Sequence, residues 1–373
     1  MSLFTRTFAL LLAATFASSM SFSALLPTLP RYADGPLDAG GLGIGLAVGG
    51  ASLTAFLGQP LAGRLSDRRG RRLLLVSGPL VMAAASAAYV LADTLPVLVL
   101  LRLLAGCGEA LFFVGAFTMQ HDLAPDERRG EATSYLTLAL YGGLATGPLA
   151  GDLILGGDRY DTVWLASAAG ALVAFLIALS LPETKPADAG QSSGGRFFYA
   201  GALPVGLVLL AGLLAFGGFN AFVALYALEL GFERTGLVFA TFAIAVIAVR
   251  SFGARLPDLL GPKRAGFLAL AGIALGMALI AAWPSVPGLF AGTLLLAAGQ
   301  SLAFPALMTF AVSAAPVADR SAAIGTVSAF IDLGIVSGAV VCGLVVDLSG
   351  YRAAFLVGGA IAAGGLLLLA RLR

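Results

Sequence analysis

The sequence predicts an all-α integral membrane protein in which twelve transmembrane helices form two pseudo-symmetric bundles of six. Composition is the first observation: 59% of the 373 residues are hydrophobic and only 11% are charged, whereas about 25% of a soluble domain is charged. The second is that the apolar residues lie in long segments separated by short polar or Gly/Pro-rich turns. The third is that landmark residues recur in both halves of the chain at one constant spacing.

Each apolar segment is long enough to cross a bilayer, whose core of about 30 Å requires about 20 residues of helix. We name the segments helices 1 to 12 in chain order. They are predicted at residues 6–30, 41–63, 72–92, 96–120, 130–155, 161–181, 200–228, 236–256, 263–283, 287–311, 320–346 and 352–371. The first segment has no convincing cleavage site after it, so we expect a spanning helix there and not a signal peptide.

Lysine and arginine are distributed unequally between the two ends of these segments. Most of the 22 basic residues lie on the side of the two chain termini, and the exceptions outside the helices are Arg31, Arg159, Arg234 and Arg352. Because cytoplasmic loops are enriched in Lys and Arg, both termini are predicted in the cytoplasm and the protein in the inner or plasma membrane.

The two halves of the chain are related by a spacing of 191 residues. This spacing maps Arg64 to Arg255, Asp67 to Asp258, Gly70 to Gly261, Gly143 to Gly334 and Gly147 to Gly338 without a gap. A duplicated six-helix unit explains such a match. We therefore predict an N-terminal bundle at 1–182, a cytoplasmic linker at 183–199, which has the composition of a flexible tether, and a C-terminal bundle at 200–373.

Several functional classes have no support in the sequence. Cys107 and Cys342 lie in apolar segments and His121 is the single histidine, so neither a disulfide framework nor a Cys/His metal site is expected. No Gly-x-x-x-x-Gly-Lys-Ser/Thr loop is present, so ATP is not the expected energy source. We predict a protein that is not an enzyme and that has no cofactor, metal or nucleic-acid partner.

A polar stretch at residues 63–72 separates helices 2 and 3 and is predicted to be a tight loop. A carboxylate there can accept hydrogen bonds from the amides at the start of a neighbouring helix, and a glycine lets the turn tighten. The pattern resembles the signature loop of the major facilitator superfamily of secondary transporters. The matching residues include Gly63, Asp67, Arg68, Gly70, Arg71 and Arg72.

The resemblance extends over the whole chain and is strongest to the drug/proton antiporter branch of that superfamily. It implies that Asp67 and Arg71 form a latch with Asp122, the acidic residue at the end of helix 4, and that this latch holds one alternating-access state. The second copy of the loop keeps Asp258 and Gly261 but has Pro262 in place of Arg71. We therefore expect the latch to be asymmetric between the two halves.

Helix 4 carries two charged residues at membrane depth, Arg102 and Glu109. They are two turns apart and hence lie on nearly the same face. Charges at this depth usually face a partner or a water-filled cavity. Glu109 is our candidate for the residue that binds the transported proton; a permanent structural ion pair with Arg102 is the alternative.

In the second half, Asp332 in helix 11 and Arg250 in helix 8 are also charged residues at membrane depth, and the repeat places Tyr141 and Gln59 at their positions. Two unpaired charges at this depth would be strongly disfavoured. Structural pairing of the two and a role in proton coupling are both open from the sequence.

Helix 5 contains Gly143, Gly147, Pro148 and Gly151, a pattern similar to the Gly-x-x-x-Gly-Pro-x-x-Gly signature of exporters in this superfamily. Asp152 follows where another glycine is usual. Physically, small residues at a spacing of four allow close helix approach and proline bends a helix, so generic packing is the alternative to an exporter signature.

The resemblance places the substrate cavity between helices 1, 4, 7 and 10. Candidate lining residues are Phe16, Met20, Phe22, Phe112, Phe113, Phe219, Asn220, Tyr226, Gln300 and Phe304. A lining rich in aromatic residues with few polar groups suits an amphipathic or lipophilic small molecule.

The sequence thus predicts a monomeric secondary transporter whose partners are protons, membrane lipids and a small-molecule substrate, with proton-coupled efflux as the expected activity. Transport of a polar metabolite or metallophore is the alternative within the transporter class. A lipid-handling protein, or a receptor that does not transport, is the alternative from a different class.

Overall fold

A computed structural model describes residues 3–185, 199–252, 259–316 and 319–372, and all regular structure within these ranges is helical. Helix 1 is formed by Arg6–Ser23 and, after a turn, Thr28–Asp34. The helices that follow are, in order, Gly41–Arg69, Arg71–Ala88, Leu95–Leu123, Arg129–Leu155, Tyr160–Leu179, Leu203–Glu229, Gly236–Phe252, Pro262–Ala282 and Val286–Ala314. Helices 11 and 12 form the segment Arg320–Arg371, which is divided by a non-helical residue, Gly350, at φ +80°.

The predicted fold class is confirmed. Among the described residues, ten helices are long and apolar enough to cross a membrane, and Gly236–Phe252 is a shorter apolar helix. Each of the twelve predicted segments coincides with one of these helices or, for the last two, with one side of Gly350.

The polar stretch after helix 2 differs from the prediction. Helix 2 continues through Arg69, and helix 3 begins at Arg71, so that Gly70 alone interrupts the two helices. Charged side chains prevent a segment from lying in the bilayer core but do not oppose helix formation, because arginine is a good helix former. The sequence therefore placed the end of the apolar segment correctly but not the end of the helix.

The chain forms two compact units. Unit 1 contains Met1–Tyr32 and Gly50–Ser193, and unit 2 contains Ala33–Gly49 and Gly194–Arg373. These units differ from the predicted bundles in one segment, because the first turns of helix 2 group with unit 2. Most of the predicted linker, residues 186–198, lies outside the described part of the chain.

The repeat seen in the sequence reappears in contacts that are internal to each unit. In unit 1 the Arg72 guanidinium donates to the carbonyl oxygen of Leu179, at the end of helix 6, at 2.8 Å. In unit 2 the Lys263 ammonium donates to the carbonyl oxygen of Ala370, at the end of helix 12, at 3.4 Å. Lys263 stands 191 residues after Arg72, and Ala370 stands 191 residues after Leu179. The two units therefore use equivalent residues to close equivalent helix ends.

An apolar core in unit 1 includes residues of helices 3, 4 and 6 near the start of helix 3 and the end of helix 6. That core contains Leu75 of helix 3, Phe112 and Met119 of helix 4, and Ala178 of helix 6, together with Leu181 just after helix 6; all are at most 6% exposed. This core fixes the starts and ends of three helices relative to one another. The polar groups at those ends are therefore held close together.

Candidate functional site

Arg71 is the centre of a charged cluster in unit 1. Its side chain is only 7% exposed, and its Nε donates to Asp122 Oδ2 at 2.8 Å. Its Nη1 donates to the carbonyl oxygen of Ser66 and lies 3.9 Å from Asp67 Oδ1. The structure thus brings together the three residues of the predicted latch, Asp67, Arg71 and Asp122.

The two carboxylates of the latch contact Arg71 unequally. The Asp67 side chain is 66% exposed and its contact is long, whereas the Asp122 contact has the length of a charge-assisted hydrogen bond. Because exposed ion pairs contribute little, Asp122 holds Arg71 more strongly than Asp67 does. Asp122 Oδ2 also accepts a hydrogen bond from the Thr184 hydroxyl at 3.0 Å.

Glu183 belongs to the same cluster and was not predicted from the sequence. Its Oε1 accepts from the backbone N–H of Arg71 at 2.9 Å, and its Oε2 accepts from that of Arg72 at 3.2 Å. These amides begin helix 3 and have no partner within that helix. Glu183 therefore caps helix 3 from the segment that follows helix 6.

Gly70 is required at this position for two reasons. Its φ of +99° lies in a region that side chains rarely adopt, and an added Cβ would overlap the Glu183 carboxylate. For Gly63, in contrast, no atom in the described part of the chain lies within 4 Å of an added Cβ. Arg68 contributes its carbonyl oxygen, which accepts from the Lys185 ammonium at 2.9 Å. The second copy of this stretch cannot be compared in full, because residues 253–258, with Asp258, lie outside the described residues.

The pKa of Glu183 is below its usual range. Burial opposes its ionisation, but the backbone N–H groups of Arg71, Lys185, Arg72 and Thr184 donate to the ionised carboxylate and outweigh that effect. A carboxyl group with a lowered pKa in the folded state stabilises the protein above its unfolded pKa. That contribution is lost as the pH falls through the folded pKa.

Replacement of Glu183 by glutamine is therefore expected to lower stability at pH 7 by about 0.5–1 kcal/mol, the lower part of the range for helix caps because the carboxylate is exposed. The difference in Tm between the wild type and Glu183→Gln should shrink at acidic pH, as the pH falls below the ordinary pKa of a glutamate and through the lowered pKa of Glu183 in the folded protein. Thermal unfolding of the purified protein between pH 3 and pH 7 measures this difference. A difference that does not change with pH would contradict the assignment of the cap.

Helix 4 places Arg102 in the interior of unit 1. The side chain is 3% exposed, and the guanidinium carbon lies 5.3 Å from the centre of the Phe22 ring in helix 1, a geometry that stabilises a cation. Two turns further along helix 4, Glu109 is partly buried. Thr54 of helix 2 donates to the carbonyl oxygen of Leu103 at 2.6 Å and ties helix 4 to helix 2.

The glycines of the helix 5 pattern contact the backbone of helix 1. A Cβ at Gly143 would lie 2.7 Å from the backbone nitrogen of Met20, and one at Gly147 or Gly151 would overlap backbone oxygens of helix 1. In unit 2, Gly334 and Gly338 approach helix 7 in the same way, although no proline follows them. The glycines thus serve helix packing in both units, and Pro148 is the feature particular to helix 5.

The charged and polar candidates of unit 2 lie on four helices, 7, 8, 10 and 11. Asp332 and Arg250 are both partly buried. Gln300 donates from its side-chain nitrogen to the carbonyl oxygen of Gly212 in helix 7 at 3.2 Å. Asn220 and Phe304 are also partly buried.

The remaining candidates for the substrate cavity fall into two groups. Phe16 and Met20 line a groove of about 470 Å³ that helices 1, 5 and 6 form within unit 1, and Phe113 is 38% exposed beside Phe117. The others lie in the cores of their units. Phe22 packs near Met82, Phe112 belongs to the apolar core that includes residues of helices 3, 4 and 6, Phe219 packs on Phe242, and Tyr226 donates to the carbonyl oxygen of Ile280.

Comparison with known proteins identifies the family. The profile of the major facilitator superfamily matches residues 11–235 and 206–373, so the matches together extend from helix 1 to the end of the chain. The chain belongs to the major facilitator superfamily, whose members are transporters.

Two curated relatives resemble the protein over most of its length. An uncharacterised transporter of this superfamily from Salmonella typhimurium is 30% identical over 94% of this chain and 92% of its own. The uncharacterised transporter YhhS of Escherichia coli K12 is 27% identical over 96% of this chain and 90% of its own.

Solved structures share the fold at low identity. The nucleoside transporter NupG has a TM-score of 0.80 at 16% identity and covers 98% of this chain and 99% of its own. A POT family transporter bound to 5-aminolevulinic acid has a TM-score of 0.83 at 13% identity, with 98% and 95% covered. The human organic anion transporter MFSD10 has a TM-score of 0.72 at 20% identity, with 98% and 99% covered.

Proposed function

We propose that the protein is a secondary transporter that exports small amphipathic or lipophilic compounds in exchange for protons, as in the drug/proton antiporter branch that its sequence resembles. Its two six-helix halves, 1–182 and 200–373, alternate between access from the cytoplasm and access from outside. The main support for the proposal is that helix 4 carries two charged residues, Arg102 and Glu109, at membrane depth. Arg102 is 3% exposed and Glu109 is partly buried on the same face.

Glu109 is the residue that takes up and releases the proton. A carboxylate inside a membrane is costly and is retained where it has a function. Arg102 provides the positive charge that makes the ionised form tolerable, and the Phe22 ring 5.3 Å away helps to hold that cation in place. Asp332 and Arg250 in unit 2 supply a second carboxylate and a second cation. These two residues either form a structural ion pair or take part in proton coupling together with Glu109.

The substrate is apolar over most of its surface. The candidate lining of the predicted cavity between helices 1, 4, 7 and 10 is rich in aromatic residues and has few polar groups. A site for a sugar or another highly polar solute would require many more hydrogen-bond donors and acceptors. Export as the direction is supported by the helix 5 pattern with Pro148.

The charged cluster around Arg71 acts as the latch of one alternating-access state. Asp122 and Glu183 hold Arg71 and the start of helix 3 in place. Both termini and this cluster lie in the cytoplasm, as the distribution of Lys and Arg indicates.

Proteoliposomes with an imposed pH gradient test the proposal. A panel of amphipathic fluorescent compounds that includes the permanent cation ethidium is expected to move against its concentration gradient when protons move in the opposite direction. Transport of polar metabolites alone, with no movement of any amphipathic compound, would instead favour the alternative transporter function, transport of a polar metabolite or metallophore. Movement of fluorescent lipid between bilayer leaflets would favour lipid handling.

A further inference from the structure

The first turn of helix 2 is held by a carboxylate of helix 11. Asp347 accepts the backbone N–H of Gly41 with Oδ1 and that of Leu42, at 2.9 Å, with Oδ2. These amides are among the first four of helix 2, which have no partner within the helix. A carboxylate at this position also meets the positive end of the helix dipole. All three residues, Gly41, Leu42 and Asp347, belong to unit 2.

Glycines bring the two helices into backbone contact next to this cap. Gly41, Gly45 and Gly49 follow one another at a spacing of four and lie on one face of helix 2. A Cβ at Gly41 or Gly45 would overlap the carbonyl oxygen of Gly343 or Ala339, and one at Gly49 would lie 3.3 Å from Val336. We call this set of glycines, with Val336, Ala339, Gly343 and Asp347, the helix 2–11 contact.

Helix 2 joins the two units. It is a continuous helix from Gly41 to Arg69, yet its residues up to Gly49 group with unit 2 and those from Gly50 onward group with unit 1. When the halves of a transporter move relative to each other, such a helix must either bend or release one of its ends. One partly buried and one exposed hydrogen bond to Asp347, together with a stripe of small residues, can separate and re-form without unfolding the helix.

We propose that Asp347 is a releasable cap that closes the extracytoplasmic side during one phase of transport. Bound to Gly41 and Leu42, it holds helix 2 on helix 11; released, it frees helix 2 to move with unit 1. A helix of 29 residues is about 43 Å long, so the Asp347 cap and the Arg71 cluster, at its two ends, lie at opposite membrane faces. This inference rests on the alternating access of the proposed function and adds the residue that controls its outer side.

A distance measurement across the helix 2–11 contact tests the cap. Leu46 and Leu344, which are 40% and 46% exposed, are replaced by cysteines and spin-labelled after Cys107 and Cys342 have been replaced by alanine. Pulsed electron paramagnetic resonance in lipid nanodiscs then gives the populations of short and long distances. Asp347→Asn is expected to raise the ratio of long to short by about three- to tenfold, as expected for loss of a charged cap.

Gly45→Leu is the second variant, because a side chain there overlaps the backbone of helix 11. It is expected to remove the short distance altogether. Asp38→Asn is the matched control, since it removes an exposed carboxylate of unit 2 at φ +47°, a conformation that asparagine tolerates. The control is expected to leave the populations unchanged.

The same ratio of long to short distances in Asp347→Asn and Asp38→Asn would overturn the proposal. This comparison remains valid even if Gly45→Leu does not fold. A short distance that persists in a folded Gly45→Leu protein would overturn it as well. The measurement uses neither substrate nor pH gradient. The distance measurement therefore does not depend on whether transport is coupled to protons. Likewise, a negative result for the Asp347 cap would not argue against proton-coupled export.

Discussion

Replacement of Glu109 by glutamine is expected to reduce transport driven by a pH gradient to the level of protein-free liposomes. Glutamine has the same shape as glutamate but cannot take up or release a proton. Because the change preserves the packing of helix 4, binding of the substrate should persist. The measurement combines flux of the fluorescent panel in proteoliposomes with equilibrium binding of the same compounds to purified protein.

Glu127→Gln provides the control for loss of a carboxylate. Glu127 is exposed in the connection between helices 4 and 5, and its replacement should leave the flux unchanged. Undiminished gradient-driven flux in the Glu109→Gln protein would exclude Glu109 as the proton-binding residue. Asp332→Asn, assayed in parallel, shows whether the carboxylate of helix 11 takes that role.

Replacement of Gly70 by alanine is expected to destabilise the protein by about 1–3 kcal/mol, the cost of a side chain in a backbone region that only glycine adopts freely. It is also expected to slow transport, because the new Cβ displaces the Glu183 carboxylate from the start of helix 3. Without that cap, Arg71 loses part of the framework that holds it against Asp122. Thermal unfolding and initial transport rates measure the two effects.

Gly261→Ala is the matched control for Gly70→Ala. Gly261 stands 191 residues later, before helix 9, and has a similar φ of +79°, but no atom of the described residues lies within 4 Å of an added Cβ. Its replacement by alanine should therefore introduce backbone strain without displacing a neighbouring group. Gly261→Ala should thus slow transport much less than Gly70→Ala does. Equal losses of transport in the two variants would show that the Glu183 cap has no part in the function of the cluster.

The fold was predictable because it depends on properties that are local in sequence. Segment length and apolar composition define the spanning helices, and the spacing of 191 residues defines the repeat. Helix ends were less predictable. Helix 2 extends to Arg69 because its polar last turns remain helical outside the apolar segment, and the break between helices 11 and 12 depends on the backbone of Gly350 alone.

The candidate site was predictable only in part, for a related reason. Asp67, Arg71 and Asp122 were found because they match a known pattern, and the structure brings them together. Glu183 lies 112 residues after Arg71 and binds backbone amides, which carry no signature in the sequence. Asp347 escaped prediction likewise, because it too binds backbone N–H groups.

Aromatic residues were the least informative candidates. Periodicity alone does not separate a phenylalanine that lines a cavity from one that packs in a core. Phe219 and Tyr226 are fully buried within unit 2, whereas Phe16 of helix 1 is 37% exposed. Their different surroundings depend on which helices pack against each face, and this is a property of the tertiary structure.

The exchange of protons for an amphipathic solute is the central claim, and simultaneous recording of both species tests it most directly. Proteoliposomes with a pH-sensitive dye inside are given an ethidium gradient but no pH gradient. The account predicts that movement of ethidium drives protons in the opposite direction, and that Glu109→Gln abolishes this proton movement. Ethidium movement at the wild-type rate without any change in internal pH would contradict the account.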